Sequence, residues 1–158
     1  MQPTDIIADF LKRKGWDVET QDELITMDYQ TESVIGTLAL AIAQQTPYLI
    51  TRFDLTLDIF VQEESLAEVM MGLNLINQQF SVGCMYLDLV EMEEDEGGED
   101  DVNEPELLFL LGARGSTVLE GMEDHHLELL HHALEVFVEE VSDAVINDMG
   151  NMPKTLQA

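Results

Sequence analysis

Residues 65 to 89, SLAEVMMGLNLINQQFSVGCMYLDL, decide the fold, because they read as an amphipathic helix running into a half-buried strand. Ser65 followed by Glu68 has the form of a capping box, in which serine oxygen and glutamate carboxylate satisfy helix amides reciprocally. Leu66, Val69, Met70, Leu73, Ile76 and Phe80 recur at helical spacing and form one stripe that must be buried. Gly83 permits the break. Beyond it Met85, Leu87 and Leu89 alternate with Cys84, Tyr86 and Asp88, the period of a strand with one face on a core. A helix lying on a sheet is the implied unit.

Upstream, residues 52 to 59 alternate most clearly: Phe53, Leu55, Leu57 and Ile59 against Arg52, Asp54, Thr56 and Asp58. Before them Leu38, Leu40 and Ile42 alternate with Thr37 and three alanines, and QQTP at 44 to 47 makes the turn. Leu24 to Tyr29 supplies an earlier strand, with a polar turn near Thr31 to Ser33. Short connections favour an antiparallel meander. Residues 4 to 14 predict a short helix capped by Thr4 or Asp5, apolar at Ile6, Ile7, Phe10 and Leu11, and ended by Gly15. Lys12, Arg13 and Lys14 occupy its last turn, where the helix dipole favours cations.

Downstream, nine of the fourteen residues from Glu91 to Glu104 are acidic and none is basic, the composition of a disordered hairpin loop. Leu107 to Leu111 is an apolar run suited to a central strand, and Gly112, Ala113, Arg114 and Gly115 lead out of it. A last helix starts between Glu120 and Asp124 and runs to about Met149. Leu127, Leu130, Leu134, Phe137, Val141 and Ala144 mark its main stripe, and Leu129, Val136, Val138, Val145 and Ile146 widen it. So wide an apolar surface asks for two partners, the sheet and another surface. The expected fold is α+β: helix, three antiparallel strands, helix, two strands, and a long C-terminal helix packed on the sheet, all in one domain spanning 1–158.

The chain has 33 acidic and 6 basic residues, a formal charge of -27, and removing the nine charges of the acidic run leaves -27 + 9 = -18. Acidity therefore belongs to the body of the protein. It opposes direct contact with nucleic acid or an anionic membrane, both of which call for Lys and Arg, and favours a basic partner. The single cysteine, Cys84, excludes an internal disulfide and a cysteine-based zinc site. No signal peptide or membrane span is read, so the expectation is a cytoplasmic protein.

Chemistry-bearing residues are few. His125, His126, His131 and His132 lie on the last helix, none three or four residues apart. His125, Glu128, His132 and Glu135 share a face and are the weak metal candidates; exposed histidines among carboxylates are the plainer reading. No nucleophile, base and orienting group assemble in the sequence, and no cofactor motif is present, so no enzyme and no cofactor are expected. Met70, Met71, Met85, Met122, Met149 and Met152 are adaptable apolar side chains suited to core or to a binding surface. Asn74 and Asn77 interrupt the middle helix beside its stripe and suit bonds to backbone or to a neighbouring turn.

The element order, with LNLINQQFSVGCMYLDL at its centre, resembles the YbjN-like family of small bacterial proteins, whose middle helix carries a leucine and two asparagines matched here by Leu73, Asn74 and Asn77. The same layout resembles the class I chaperones of type III secretion. The resemblance implies a small, acidic, cytosolic, dimeric protein that binds an unstructured segment of another protein without catalysis. The expected function is thus a chaperone-like or regulatory protein-binding module, homodimeric, with Val136, Val138 and Ile146 on the wide side of the last helix as its partner-binding residues and strand positions facing away from the helices as the other candidate surface. An acidic mimic of nucleic acid, filling the basic groove of a DNA-binding protein, is the first alternative. A histidine-rich metal-binding protein is the second.

Overall fold

Strict alternation of burial along Tyr48–Gln62 (β4) gives the molecule its longest strand and its plane of division: Phe53, Leu55, Leu57, Ile59 and Val61 are fully buried on one side, while Arg52 and Asp58 are exposed on the other. The structure, a computed structural model, describes residues 2–32, 34–90, 107–148 and 155–156. In chain order they form α1 (Pro3–Arg13), β1 (Glu19–Gln21), β2 (Leu24–Gln30), β3 (Ile35–Gln45), β4, α2 (Leu66–Asn77), β5 (Gly83–Val90), β6 (Leu108–Leu119), α3 (Asp124–Asp143), a π turn over Ala144–Asp148, and β7 (Thr155–Leu156). The strands form one sheet in the order β1-β2-β3-β4-β6-β5, each pair antiparallel, with β7 beside β4 at Ile59 and Phe60. The expected α+β class and the long last helix on the sheet are both present.

The core lies between the sheet and the helices. Ile7 and Leu11 of α1, Val69 of α2, and Leu130, Leu134, Phe137 and Val141 of α3 join the inward positions of β4 in one cluster, which places all three helices on one face. Phe137 meets Phe53 with ring centroids 5.6 Å apart. Such a contact needs space on the strands beside it. A Cβ on Gly115 would lie 3.2 Å from Phe137 Cδ2, and one on Gly83 would run into the Arg114 carbonyl oxygen. Thr51, the buried polar residue of β4, donates its hydroxyl to the Thr117 carbonyl at 3.2 Å, so its burial leaves no unmade bond. Two polar contacts fasten the helices from outside: Tyr29 Oη and Ser142 Oγ are 2.8 Å apart, and Trp16 Nε1–H donates to His131 Nε2 at 2.9 Å.

Several sequence expectations are corrected. Ser65 and Glu68 make no capping box: Glu63–Ser65 forms a 3-10 turn, Ser65 is already helical at φ -98 and ψ -2, and its side chain caps nothing. α2 stops at Asn77, so Phe80 is not on its stripe and packs on the core from the following loop. Gly83 does not make the break; it opens β5 and is required by the close approach of Arg114 and Phe137. Gln2, not Thr4 or Asp5, holds the cap position of α1, with proline following in the first turn. Gly112 to Gly115 do not lead out of the strand, because β6 continues to Leu119. A strand absent from the reading, β1, pairs with β2 through Asp22 and Glu23, both left-handed at φ 49 and 66, a two-residue turn of the type that matches strand twist. The acidic run from Glu91 to Glu104 lies outside the described residues; its flanks are the antiparallel partners β5 and β6.

Candidate functional site

The stretch that organises the fold also forms the corner where apolar surface is left uncovered. Val69, Leu73 and Ile76 turn α2's buried side to the sheet. Ala67, Met71 and Leu75, spaced i, i+4, i+8, share the opposite side of the helix, with Met71 72% and Leu75 64% exposed. At its end α2 is locked to β5 by Asn77: the Met85 N–H donates to Asn77 Oδ1 at 2.7 Å, and Asn77 Nδ2 donates to the Met85 carbonyl at 3.1 Å. The amide thus pairs with the main chain of Met85 as a neighbouring strand would. Because β5 is the last strand of the sheet order, this closes part of an otherwise open edge. Leu89, further along β5, is exposed where its alternation expected burial. The exposed charges of the two segments, Glu63, Glu64, Glu68 and Asp88, are all acidic, and no Lys or Arg occurs between Arg52 and Arg114 in the sequence.

On the other face of the sheet, no described helix covers the strands. Leu24, Ala39, Ala41, Arg52, Asp54 and Arg114 line a groove of about 630 Å³, floored by the alanines of β3. Three strands contribute to a polar cluster beside it. Tyr86 donates to Asp54 Oδ1 at 2.5 Å, Arg114 Nη2 lies 3.4 Å from Asp54 Oδ2, and the guanidinium sits 4.5 Å from the Tyr86 ring centroid. Gly112 makes room for the ring, since a Cβ there would be 2.7 Å from Tyr86 Oη. Burial first, then the hydrogen bond and charge of Asp54, push the Tyr86 phenol up to about 12, while Arg114 pulls it down. The Asp54 charge in turn raises Arg114. A neutral tyrosine and a permanent cation bound to one carboxylate hold shape; neither is poised to transfer a proton near neutral pH.

The sequence-proposed residues are dispersed. Of Val136, Val138 and Ile146, Val138 packs on the core, Val136 is half-buried, and Ile146 is 58% exposed. They do not present one surface. The His125, Glu128, His132 and Glu135 ladder is drawn apart by other partners: Glu128 meets Lys14 at 2.6 Å, Glu135 meets His131 at 3.1 Å, and His125 meets Glu123 at 3.5 Å. His131 accepts from Trp16 at Nε2, so its proton is on Nδ1, toward Glu135. Ligand atoms of Glu123, His125 and His126 instead come within 4.8 Å of one another at the start of α3. His126 Nδ1 already accepts the Glu123 N–H at 3.3 Å, and the positive end of the helix opposes a cation there. Among the described residues this arrangement serves as a helix cap.

No motif in the sequence marks the Asp54, Tyr86 and Arg114 cluster. Its only trace is strand register, which sets Asp54 opposite Arg114 and Tyr86 two residues along β5 from Cys84, the residue facing Arg114 there. Met71 is an adaptable side chain by type, but its direction depends on how α2 is rotated, and that rotation also puts Met70, a member of the expected stripe, at the surface.

An antiparallel sheet with three helices on one face, and no helix on the other among the described residues, is the class this chain defines. No protein-family model matches the chain, and no curated protein matches it. Among solved structures it is similar to YbjN from E. coli, a candidate transcription regulator, with a TM-score of 0.56, 13% identity, and 92% of this chain and 93% of that one covered. That likeness shows a YbjN-like fold. Within it, Leu73 is core, Asn77 makes the two bonds to Met85, and Asn74 is exposed.

Proposed function

We propose that this protein is a non-enzymatic, chaperone-like or regulatory module that binds a segment of a basic partner protein. The observation that carries the reading is the α2–β5 corner, where Met70, Met71, Leu75 and Leu89 are each more than half exposed beside carboxylates. Apolar anchors from a partner would supply affinity there, and the acidic surroundings would select basic partners and speed their approach. The regulatory description of YbjN and the resemblance to secretion chaperones support a binding role of this kind.

Charge mimicry of nucleic acid is the second reading, favoured by the charge of -27 alone. Partner capture from cell lysate separates the two. Immobilised protein is washed at low salt and then at about 1 M, where screening shortens to about 3 Å. A protein partner retained at high salt supports apolar recognition. Elution of every partner by salt, with DNA-binding proteins prominent among them, replaces that reading with mimicry.

A further inference from the structure

We propose that the outward side of α2 seats a basic amphipathic helix of another protein, laid along Ala67, Met71 and Leu75. The inference rests on the protein-binding reading and adds the place, the partner's form and its charge. A stripe repeating every four residues rises about 6 Å per step, the spacing of the side-chain rows another helix presents. Methionine at its centre adapts to different apolar neighbours, as Met-rich helix-binding surfaces do. A strand would need free main chain at the adjoining edge, and Asn77 already occupies that of Met85.

Charge selects the occupant. Glu63, Glu64 and Glu68, all exposed, lie at the start of α2 and on its side, with no cation near them in the sequence. Lysines flanking the partner's apolar stripe would meet them. A second copy of this chain would set carboxylate against carboxylate with -27 on each molecule, which opposes its use of this seat. The inward side of the helix is committed, since Val69, Leu73 and Ile76 are core, so a partner meets the exposed side, where Ala67, Met71 and Leu75 line up.

The test uses the full chain and a synthetic peptide of about 18 residues, five helical turns, with Leu at i, i+3, i+4 and i+7 and Lys elsewhere. Binding is followed by calorimetry at about 0.15 M salt, where the Debye length is about 8 Å. The expected result is binding accompanied by a gain of peptide helix. Met71→Glu and Leu75→Glu should each weaken it about tenfold or more, while Leu129→Glu, at a 64% exposed position of α3, leaves it within about twofold. The sign is informative, because an added carboxylate would tighten attachment that was only electrostatic. Unchanged or tighter binding by the α2 variants overturns the proposal, as does equal binding of a peptide with Ser in place of Leu. A dimer of the free chain that Met71→Glu dissociates also overturns it, by making a second copy the occupant. If the peptide fails while salt-resistant partners are still captured, the α2 seat falls and the protein-binding reading stands; loss of both removes both.

Discussion

Tyr86 shows how a single side chain on the sheet face that no described helix covers is held by its neighbours. Its phenol is raised from 10.0 to about 12 by burial, by its hydrogen bond to Asp54 and by that carboxylate's charge. The fold therefore favours the neutral form: the associated stability is complete below pH 10, the unfolded value, and is lost as pH rises toward about 12. Ultraviolet titration of tyrosinate, compared with that of a Tyr86→Phe variant, should assign Tyr86 a midpoint near 12, while Tyr29 is also raised by burial. Asp54→Asn should lower that midpoint yet leave it above 10, because burial is the larger cause. An unchanged midpoint would show that Asp54 does not act on Tyr86. At Gly83 the constraint is steric. Gly83→Ala drives a methyl into the Arg114 carbonyl and toward Phe137, and should cost about 1–3 kcal/mol, the usual range for overpacking. Denaturant unfolding measures it, and a change under about 0.5 kcal/mol would show that the strand simply moves aside.

Among the elements, α2 depends on one side chain for its seat on β5. Asn77→Ala removes both bonds to the Met85 main chain, and two net hydrogen bonds are worth about 1–3 kcal/mol. Hydrogen exchange should locate the loss at Met85 and its neighbours in β5; uniform weakening would place the role of Asn77 elsewhere. The helix–strand unit, the alternation in β4 and the main stripe of α3 were legible because each writes burial as a local period. Leu127, Leu130, Leu134, Phe137, Val141 and Ala144 are all buried as the spacing expects. What stayed hidden depends on other elements. The Asp22–Glu23 turn uses left-handed residues without the usual Asn or Gly signal, and β6 runs through two glycines because Tyr86 and Phe137 need the space. Rotation of α2 decides whether Met70 is stripe or surface, and no sequence period sets it. Val136 and Val138, two residues apart on α3, point to different sides of the helix, and Ile146 lies beyond it in the π turn, which is why the three do not meet.

At the scale of the whole molecule, 33 acidic residues against 6 basic ones make self-repulsion a general opponent of the folded state. Raising salt from about 0.01 to 0.15 M shortens the Debye length from about 30 to 8 Å, so the thermal midpoint should rise. A midpoint that falls instead would show that specific ion pairs, such as Lys14 with Glu128, outweigh the net charge. The hairpin of β5 and β6 has a practical consequence. Val90 stands directly opposite Leu108, so the chain leaves and re-enters the sheet at neighbouring positions, with Cα atoms about 5 Å apart. Whatever joins those two residues has only that short gap to bridge. A fluorescent domain whose own termini lie close together could be spliced between them, giving a reporter inserted within the chain and leaving both ends of the protein untagged.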